Sequence, residues 1–279
     1  MPRRWRQKRL SARDPGGWPE GVARHVLPEV DSTNAEAARL APQLTQPTWI
    51  LALRQTAGRG RRGRVWQDPP GNLAATLVMR PPGGVQQAAL RSFVAALALH
   101  EALGAVIGPA GRLALKWPND VLLNGGKVAG ILLESLGGGG PGQGAGQGAG
   151  QGEVRLAIGI GINLAAAPEA AGLDPVTAPP VSVAGETGLR VAPEEMLPPL
   201  AAAFARWEAQ LVTFGFGPIR TAWLARAARI GQTITARTMT ETVEGRFETI
   251  DDSGALVLAT PQGRRSLAAA DIYFPAQAS

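Results

Sequence analysis

Lysine is scarce in this chain. Lys8, Lys116 and Lys127 are its lysines, and every other basic side chain is an arginine. Two of the three fall in one stretch, Leu113 to Ser135. An apolar run leads there into Lys116-Trp117-Pro118-Asn119-Asp120, a second reaches an Asn124-Gly125-Gly126 turn, and Val128 to Leu133 returns as a strand. The ribbon would carry polar groups at both of its ends. An ammonium is a compact point charge with a tunable pKa, suited to meeting a carboxylate or phosphate at close range. Two solvated charges on a hairpin are the plain alternative.

A second cluster is Gly58-Arg59-Gly60-Arg61-Arg62-Gly63-Arg64-Val65-Trp66, shortly after Gln55. Glycines free the backbone and like charges repel, so this segment is expected to be a mobile cationic loop and not a helix. Its guanidinium forks suit bidentate binding of phosphate or carboxylate, and Trp66 could cover a planar or apolar ligand. RNA-binding segments share this composition but run in long tracts, whereas this motif is single and lies between predicted strands. The third cluster is Asp31-Ser32-Thr33-Asn34-Ala35-Glu36. Thr33 and Glu36 have capping-box spacing, so a helix is expected to start here, with hydroxyls and an amide placed to bond a neutral polar ligand. Last comes Gly159-Ile160-Gly161-Ile162-Asn163, where glycines in a buried strand would let a ligand or another backbone come close.

The elements that must position these groups read as strands at Ile50 to Leu53, Asn72 to Met79, Val128 to Leu133 and Val154 to Ile162. Helices are expected at Ala88 to Ile107, Pro193 to Phe214 and about Ile219 to Ala228. A Gly/Gln tract at 137–152 resembles a flexible linker but falls between two predicted strands, so it is read as a lengthened hairpin loop within a catalytic domain of residues 25–230. After Gly231 the texture changes to short alternating strands, 233–236, 242–250, 255–260 and 266–274, which suggests a small barrel over 231–279.

Composition excludes several classes. A chain of 279 residues that is 45% hydrophobic can bury a real core, and with no cysteine it has neither a disulfide framework nor a thiolate metal site. His25 and His100 share no ligand spacing. No apolar segment reads as a signal peptide or membrane span, so a soluble cytoplasmic protein is expected. The net charge of +6 is concentrated at one end: Arg3, Arg4, Arg6, Lys8, Arg9, Arg13 and Arg24 face only Asp14 and Glu20 in residues 1–24, leaving the rest near neutral. That stretch is read as a disordered basic tail.

Ser32-Thr33-Asn34, Gln55 with the Arg/Gly loop and Trp66, Lys116 to Asp120, Gly126-Lys127-Val128-Ala129-Gly130-Ile131 and Gly161-Ile162-Asn163 together resemble the biotin protein ligases. The resemblance runs from about residue 26 to the end. It implies a mixed-sheet α/β catalytic domain of the class II synthetase-like biotin/lipoate ligase type with a small C-terminal SH3-like β-barrel. It also implies a two-step reaction: biotin and ATP, accompanied by Mg²⁺, form biotinyl-5′-AMP, and the acyl group passes to a lysine of a biotin carboxyl carrier protein, usually of acetyl-CoA carboxylase.

The same resemblance assigns Lys127, Asp120 and Arg61 to catalysis. It assigns Ser32, Thr33, Asn34, Gln55, Arg59, Gly60, Arg61, Trp66, Lys127 and Gly130 to biotin, and Arg61, Arg62, Arg64, Trp66, Lys116, Asn119 and Asn163 to ATP or the adenylate. No protein-held metal is expected, and a homodimer through the central sheet is compatible. Bifunctional relatives carry a winged helix-turn-helix before the catalytic domain, for which residues 1–24 are too short, so no sequence-specific DNA binding is expected. A lipoate or octanoate ligase of the same fold and a nucleic-acid-binding regulator are the alternatives.

Overall fold

The computed structural model describes residues 17–136, 154–169 and 178–273. Most of the predicted tail and the whole Gly/Gln tract lie outside the described residues. Residues 17–24, assigned to that tail, are ordered instead: the Trp18 indole donates to the Val22 carbonyl at 2.8 Å, Arg24 stacks over its ring, and a strand begins at Ala23.

In chain order the elements are β1 Ala23–Leu27, α1 Thr33–Leu40, β2 Thr48–Ala52, β3 Leu73–Met79, α2 Val85–Ala89, α3 Arg91–Ile107, β4 Leu113–Lys116, β5 Asp120–Leu123, β6 Gly126–Leu136, β7 Arg155–Ile162, α4 Val183–Thr187, α5 Pro193–Phe214 and α6 Phe216–Leu224. The C-terminal strands follow: β8 Thr233–Arg237, β9 Thr242–Ile250, β10 Leu256–Thr260, β11 Gly263–Leu267 and β12 Asp271–Tyr273. The first seven strands form one mixed sheet in the order β1-β2-β3-β7-β6-β5-β4, with β1 and β2 parallel and every other pair antiparallel.

Side-chain alternation gives this sheet two different faces. Leu156, Ile158, Ile160 and Ile162 of β7, with Leu77 of β3 and Trp49 and Leu51 of β2, enter the main core beneath α3 and α5. The helical stretch Gln86–Ala110, which contains α3, is apolar and long enough to cross a membrane, but its Val94, Leu97, Leu99 and Leu103 are buried in that core. Trp49 meets Phe204 of α5 edge to face at 6.1 Å, and Arg91 of α3, only 1% exposed, is held by Glu208 of α5 at 2.7 Å. The opposite face packs Ile50, Val78 and Ala157 against Ala37 and Ala41 of the α1 region, a much smaller cluster. Beyond it the sheet surface is left open, and the site occupies that space.

The C-terminal strands form a second, antiparallel sheet ordered β11-β10-β9-β8-β12. The single strand expected over 266–274 is instead two. The chain breaks after Leu267 and crosses the sheet, so that β12 pairs β8 at the far edge, Asp271 opposite Arg237. Three alanines, Ala268 to Ala270, supply no alternation to continue β11. This unit is tied to the catalytic sheet, for the Trp117 indole donates to the Gly254 carbonyl at 2.9 Å and Phe93 packs against Gly254. The connecting segment also pairs with the outer strand, Leu115 bonding Arg226 and Ala228, which covers the β4 edge.

Candidate active site

The glycines of the central strands make the floor of a cavity of about 290 Å³. In β7 the isoleucines go down into the core while Gly159 and Gly161 point up, where their lack of side chains is used at once. A Cβ on Gly159 would lie 2.3 Å from Asn34 Oδ1, and one on Gly161 would lie 2.4 Å from the Trp66 ring. Both are closer than a real Cβ tolerates. The close approach expected from this motif is therefore made by the protein's own side chains, which lie flat on the strand. Trp66 also reaches Gly130 of β6, so one indole spans two strands.

One end of the cavity is polar and neutral apart from one carboxylate at its edge. The Gln55 amide oxygen accepts from Thr33 N at 2.9 Å and from the Thr33 hydroxyl at 3.1 Å. The Thr76 hydroxyl contacts Thr33 Oγ1 at 2.8 Å and Asn34 Oδ1 at 2.6 Å, and Asn34 Nδ2 donates to Glu134 at 2.6 Å. Thr76 rises from β3 and Glu134 from β6, so two strands, the segment after β2 and the start of α1 share one network. The expected capping box does not form. Ser32 is the N-cap but makes no side-chain cap, Thr33 turns to Gln55, and the Glu36 carboxylate is taken by Arg39. Asp68 supports this end from outside the wall: it accepts the Gln55 N–H at 3.1 Å, and burial raises its carboxyl to about 6.

The other end is cationic. Lys116 and Lys127 are expected at opposite ends of a ribbon, but the strand register brings both to Asp120: Lys116 lies opposite it across β4–β5, and Lys127, paired with Leu122, reaches it diagonally across β5–β6. Lys127 Nζ lies 2.7 Å from Asp120 Oδ1 and 5.7 Å from the centre of a Trp66 ring. That Asp120 oxygen is therefore engaged by the ammonium as an ion pair. Lys116 is 7% exposed, and burial lowers its pKa, partly offset by Asp120 and reinforced by Lys127.

Arg61 is likewise pushed down by burial, with Asp271 and Asp120 acting against the shift, and its hydrogen bond is to the neutral Asn119 side chain at 3.3 Å. Desolvated cations held by a neutral partner favour an incoming anion. Asn119 itself is committed to the fold, donating to the Ile131 carbonyl at 2.6 Å. Two buried polar atoms on the wall, Trp66 Nε1 and Asn163 Oδ1, have no hydrogen-bond partner among the described residues.

The structure gathers Ser32, Thr33, Asn34, Gln55, Arg59, Gly60, Arg61, Arg64, Trp66, Lys116, Asn119, Asp120, Lys127, Gly130 and Asn163 around this one cavity. Arg62 is the exception. It has a φ of 55°, does not line the cavity, and donates to Asp271 of β12 at 2.7 Å. The Arg loop contains one short helical turn, Arg61–Gly63, too short to contradict its reading as a loop. Gly60 is not required for close packing here, since a Cβ would meet nothing nearer than Arg64 O at 3.5 Å; Gly58 is, with the Trp66 carbonyl at 2.6 Å. Sequence reasoning missed Thr76, Asp68, Glu134 and Asp271. Thr76 looks like any β-branched strand residue, and the carboxylates stand in no motif.

A mixed α/β domain carrying such a cavity, followed by a small antiparallel sheet, has the architecture of the biotin and lipoate ligases as a class. Residues 26–150 match the Biotin/lipoate A/B protein ligase family, and residues 230–274 match the Biotin protein ligase C terminal domain. A biotin–[acetyl-CoA-carboxylase] ligase of Paracoccus denitrificans is 61% identical over 249 residues, 89% of this chain and 99% of that protein. The bifunctional ligase/repressor BirA of Bacillus subtilis is 32% identical over 245 residues, 87% of this chain and 71% of its own length. Among solved structures, the biotin protein ligase from Aquifex aeolicus in complex with biotin and ATP superposes with a TM-score of 0.71 at 22% identity, covering 90% of this chain and 97% of that one. The chain belongs to the biotin protein ligase family.

Proposed function

We propose that this cavity activates biotin with ATP and passes the biotinyl group to one lysine of a carrier protein, the carrier domain of acetyl-CoA carboxylase being the acceptor that the Paracoccus relative's name suggests. The observation that carries the reading is the join of two unlike surfaces in one cavity. A hydrogen-bonding wall of Ser32, Thr33 and Gln55 leads directly to Lys127, Arg61 and Lys116. The first suits a ureido ring, which has two N–H donors and a carbonyl; the second suits a carboxylate beside a phosphate. A dithiolane ring would satisfy none of the polar wall, so lipoate is disfavoured.

In the first step a biotin carboxylate oxygen attacks the α-phosphorus and pyrophosphate leaves. Two anions must approach, so preorganised cations lower the barrier. Lys127 takes the reacting carboxyl oxygen, Arg61 and Lys116 face the phosphate, and Arg64 serves the polyphosphate. Trp66 covers the anhydride, and Asn163 Oδ1 accepts an N–H of the base. Mg²⁺ arrives with ATP, while the cavity carboxylates Asp120 and Asp271 are paired with Lys127 and with Arg62 and Arg64.

In the second step the acceptor amine attacks the acyl carbon, AMP leaves, and Asp120 takes the amine proton. Lys127 couples the two steps: as it turns to the acyl oxygen it releases Asp120, whose freed carboxylate then acts as the base. The reaction draws on ATP, which suits the cytoplasm. The test is to incubate the protein with biotin, ATP, Mg²⁺ and a biotin carrier domain and to look for one biotin mass on one lysine. Lipoate in place of biotin should give no product, and lipoyl transfer without biotinyl transfer would replace this reading.

A further inference from the structure

Two arginines of the loop are held from outside the catalytic sheet. Asp271, the first residue of β12, accepts from Arg62 at 2.7 Å and from Arg64 at 3.0 Å through the same carboxylate oxygen, across 209 and 207 residues of sequence. Asp271 is the shielded member, its side chain 17% exposed against 37% for Arg62 and 63% for Arg64. Arg62 holds a left-handed conformation, φ 55° and ψ 31°, which is unfavourable for a non-glycine residue and is kept where surrounding contacts enforce it. Asp271 also stands on the cavity wall, close enough to act on the charges of Arg61 and Lys116.

We infer that Asp271 is a positioning residue through which the C-terminal sheet holds the Arg loop over the activated intermediate, and that Arg62 serves this contact and not the nucleotide. The inference rests on the ligase reading above. One carboxylate bonded by two guanidinium groups fixes the loop at its outer turn, while Arg61 and Trp66 on either side of that turn face the cavity. The acceptor lysine must enter past this loop, so the contact sets how long the mixed anhydride stays enclosed before transfer. The same carboxylate leaves Arg64 with a competing partner, so engagement of Arg64 by polyphosphate leaves Arg62 as the remaining tie to β12.

The test is made on the full chain. Biotinyl-AMP is formed from radiolabelled ATP, and its release is timed after a chase with unlabelled adenylate; labelling of a bystander protein such as serum albumin is scored in parallel. For Asp271→Asn, which removes the charge and keeps the shape, release should quicken by about ten-fold and bystander labelling should rise, as loss of charge-assisted hydrogen bonds implies. Arg62→Gln should move both in the same direction, and adding it to Asp271→Asn should change neither further. A misfolded chain would form less adenylate and label less of everything, so the gain in bystander labelling separates positioning from misfolding. Release at the wild-type rate in Asp271→Asn, or full additivity in the double variant, overturns the inference. If the unsubstituted chain forms no adenylate at all, the ligase reading has failed instead.

Discussion

Gly161→Ala is the smallest change that should disable the cavity. The added methyl carbon would stand 2.4, 2.5 and 2.7 Å from three atoms of the Trp66 indole. Unbonded carbons settle at about 3.5–4.0 Å, so the ring must lift from the strand by about 1 Å. Overfilling of this kind costs about 1–3 kcal/mol. Trp66 closes the loop that carries Arg61 and Arg64, so the lift moves the cations too, and a displacement of about 1 Å at a reacting centre can cost about 10²-fold in rate. Pyrophosphate release at saturating biotin and ATP reads the catalytic loss, and thermal unfolding reads the packing cost. Trp66→Phe, with its smaller ring, should restore part of the stability when combined with Gly161→Ala. Gly60→Ala is the contrast, because its nearest neighbour would be an ordinary 3.5 Å away. Wild-type rate and stability in Gly161→Ala would show that the bare strand is not the platform for Trp66.

Three further outcomes are expected. Burial lifts Asp68 from 3.8 to about 6, so between those values the folded protein keeps a proton that the unfolded chain has lost; stability should fall as pH rises through that window. Asp68→Asn keeps an acceptor for Gln55 N and should flatten the fall, which urea midpoints at about pH 4 and pH 7 will show; an unchanged slope would refute it. Arg61→Gly removes a cation and frees the loop backbone, and is expected to make a leaky enzyme that forms adenylate but loses it to unrelated lysines; if adenylate formation stops altogether, Arg61 acts only in the first step. Glu208→Ala leaves Arg91 buried without its carboxylate. It should cost about 3–5 kcal/mol in chemical denaturation, with the residual activity of the folded fraction intact.

Much of the site is legible in the sequence because its parts are local. Gly-Ile-Gly-Ile announces a strand with two unlike faces, Asn124-Gly125 announces a two-residue hairpin turn with both φ values positive, and the rarity of lysine marks Lys116 and Lys127. What is hidden depends on tertiary register. Pairing of Lys127 with Leu122 puts its ammonium on the face of Asp120, and only the strand register reveals it. Thr33 has the right spacing for a cap but a better partner in Gln55, brought beside it by β2. Asp271 meets Arg62 only because the chain leaves β11 and crosses to β8, a turn made over three alanines that carry no signal.

The central claim is that one ammonium serves the biotin carboxyl group in both halves of the reaction, and Lys127→Ala tests it most directly. Pyrophosphate release from biotin and ATP, and transfer to the carrier from pre-made biotinyl-AMP, are to be measured separately on the folded variant. Loss of one preorganised donor typically costs about 10²–10³ in rate, and the account predicts a loss of that size in each assay. Lys127→Arg should recover little, since the wider guanidinium does not fit the same position. Near-normal rates for Lys127→Ala in both assays would contradict the account.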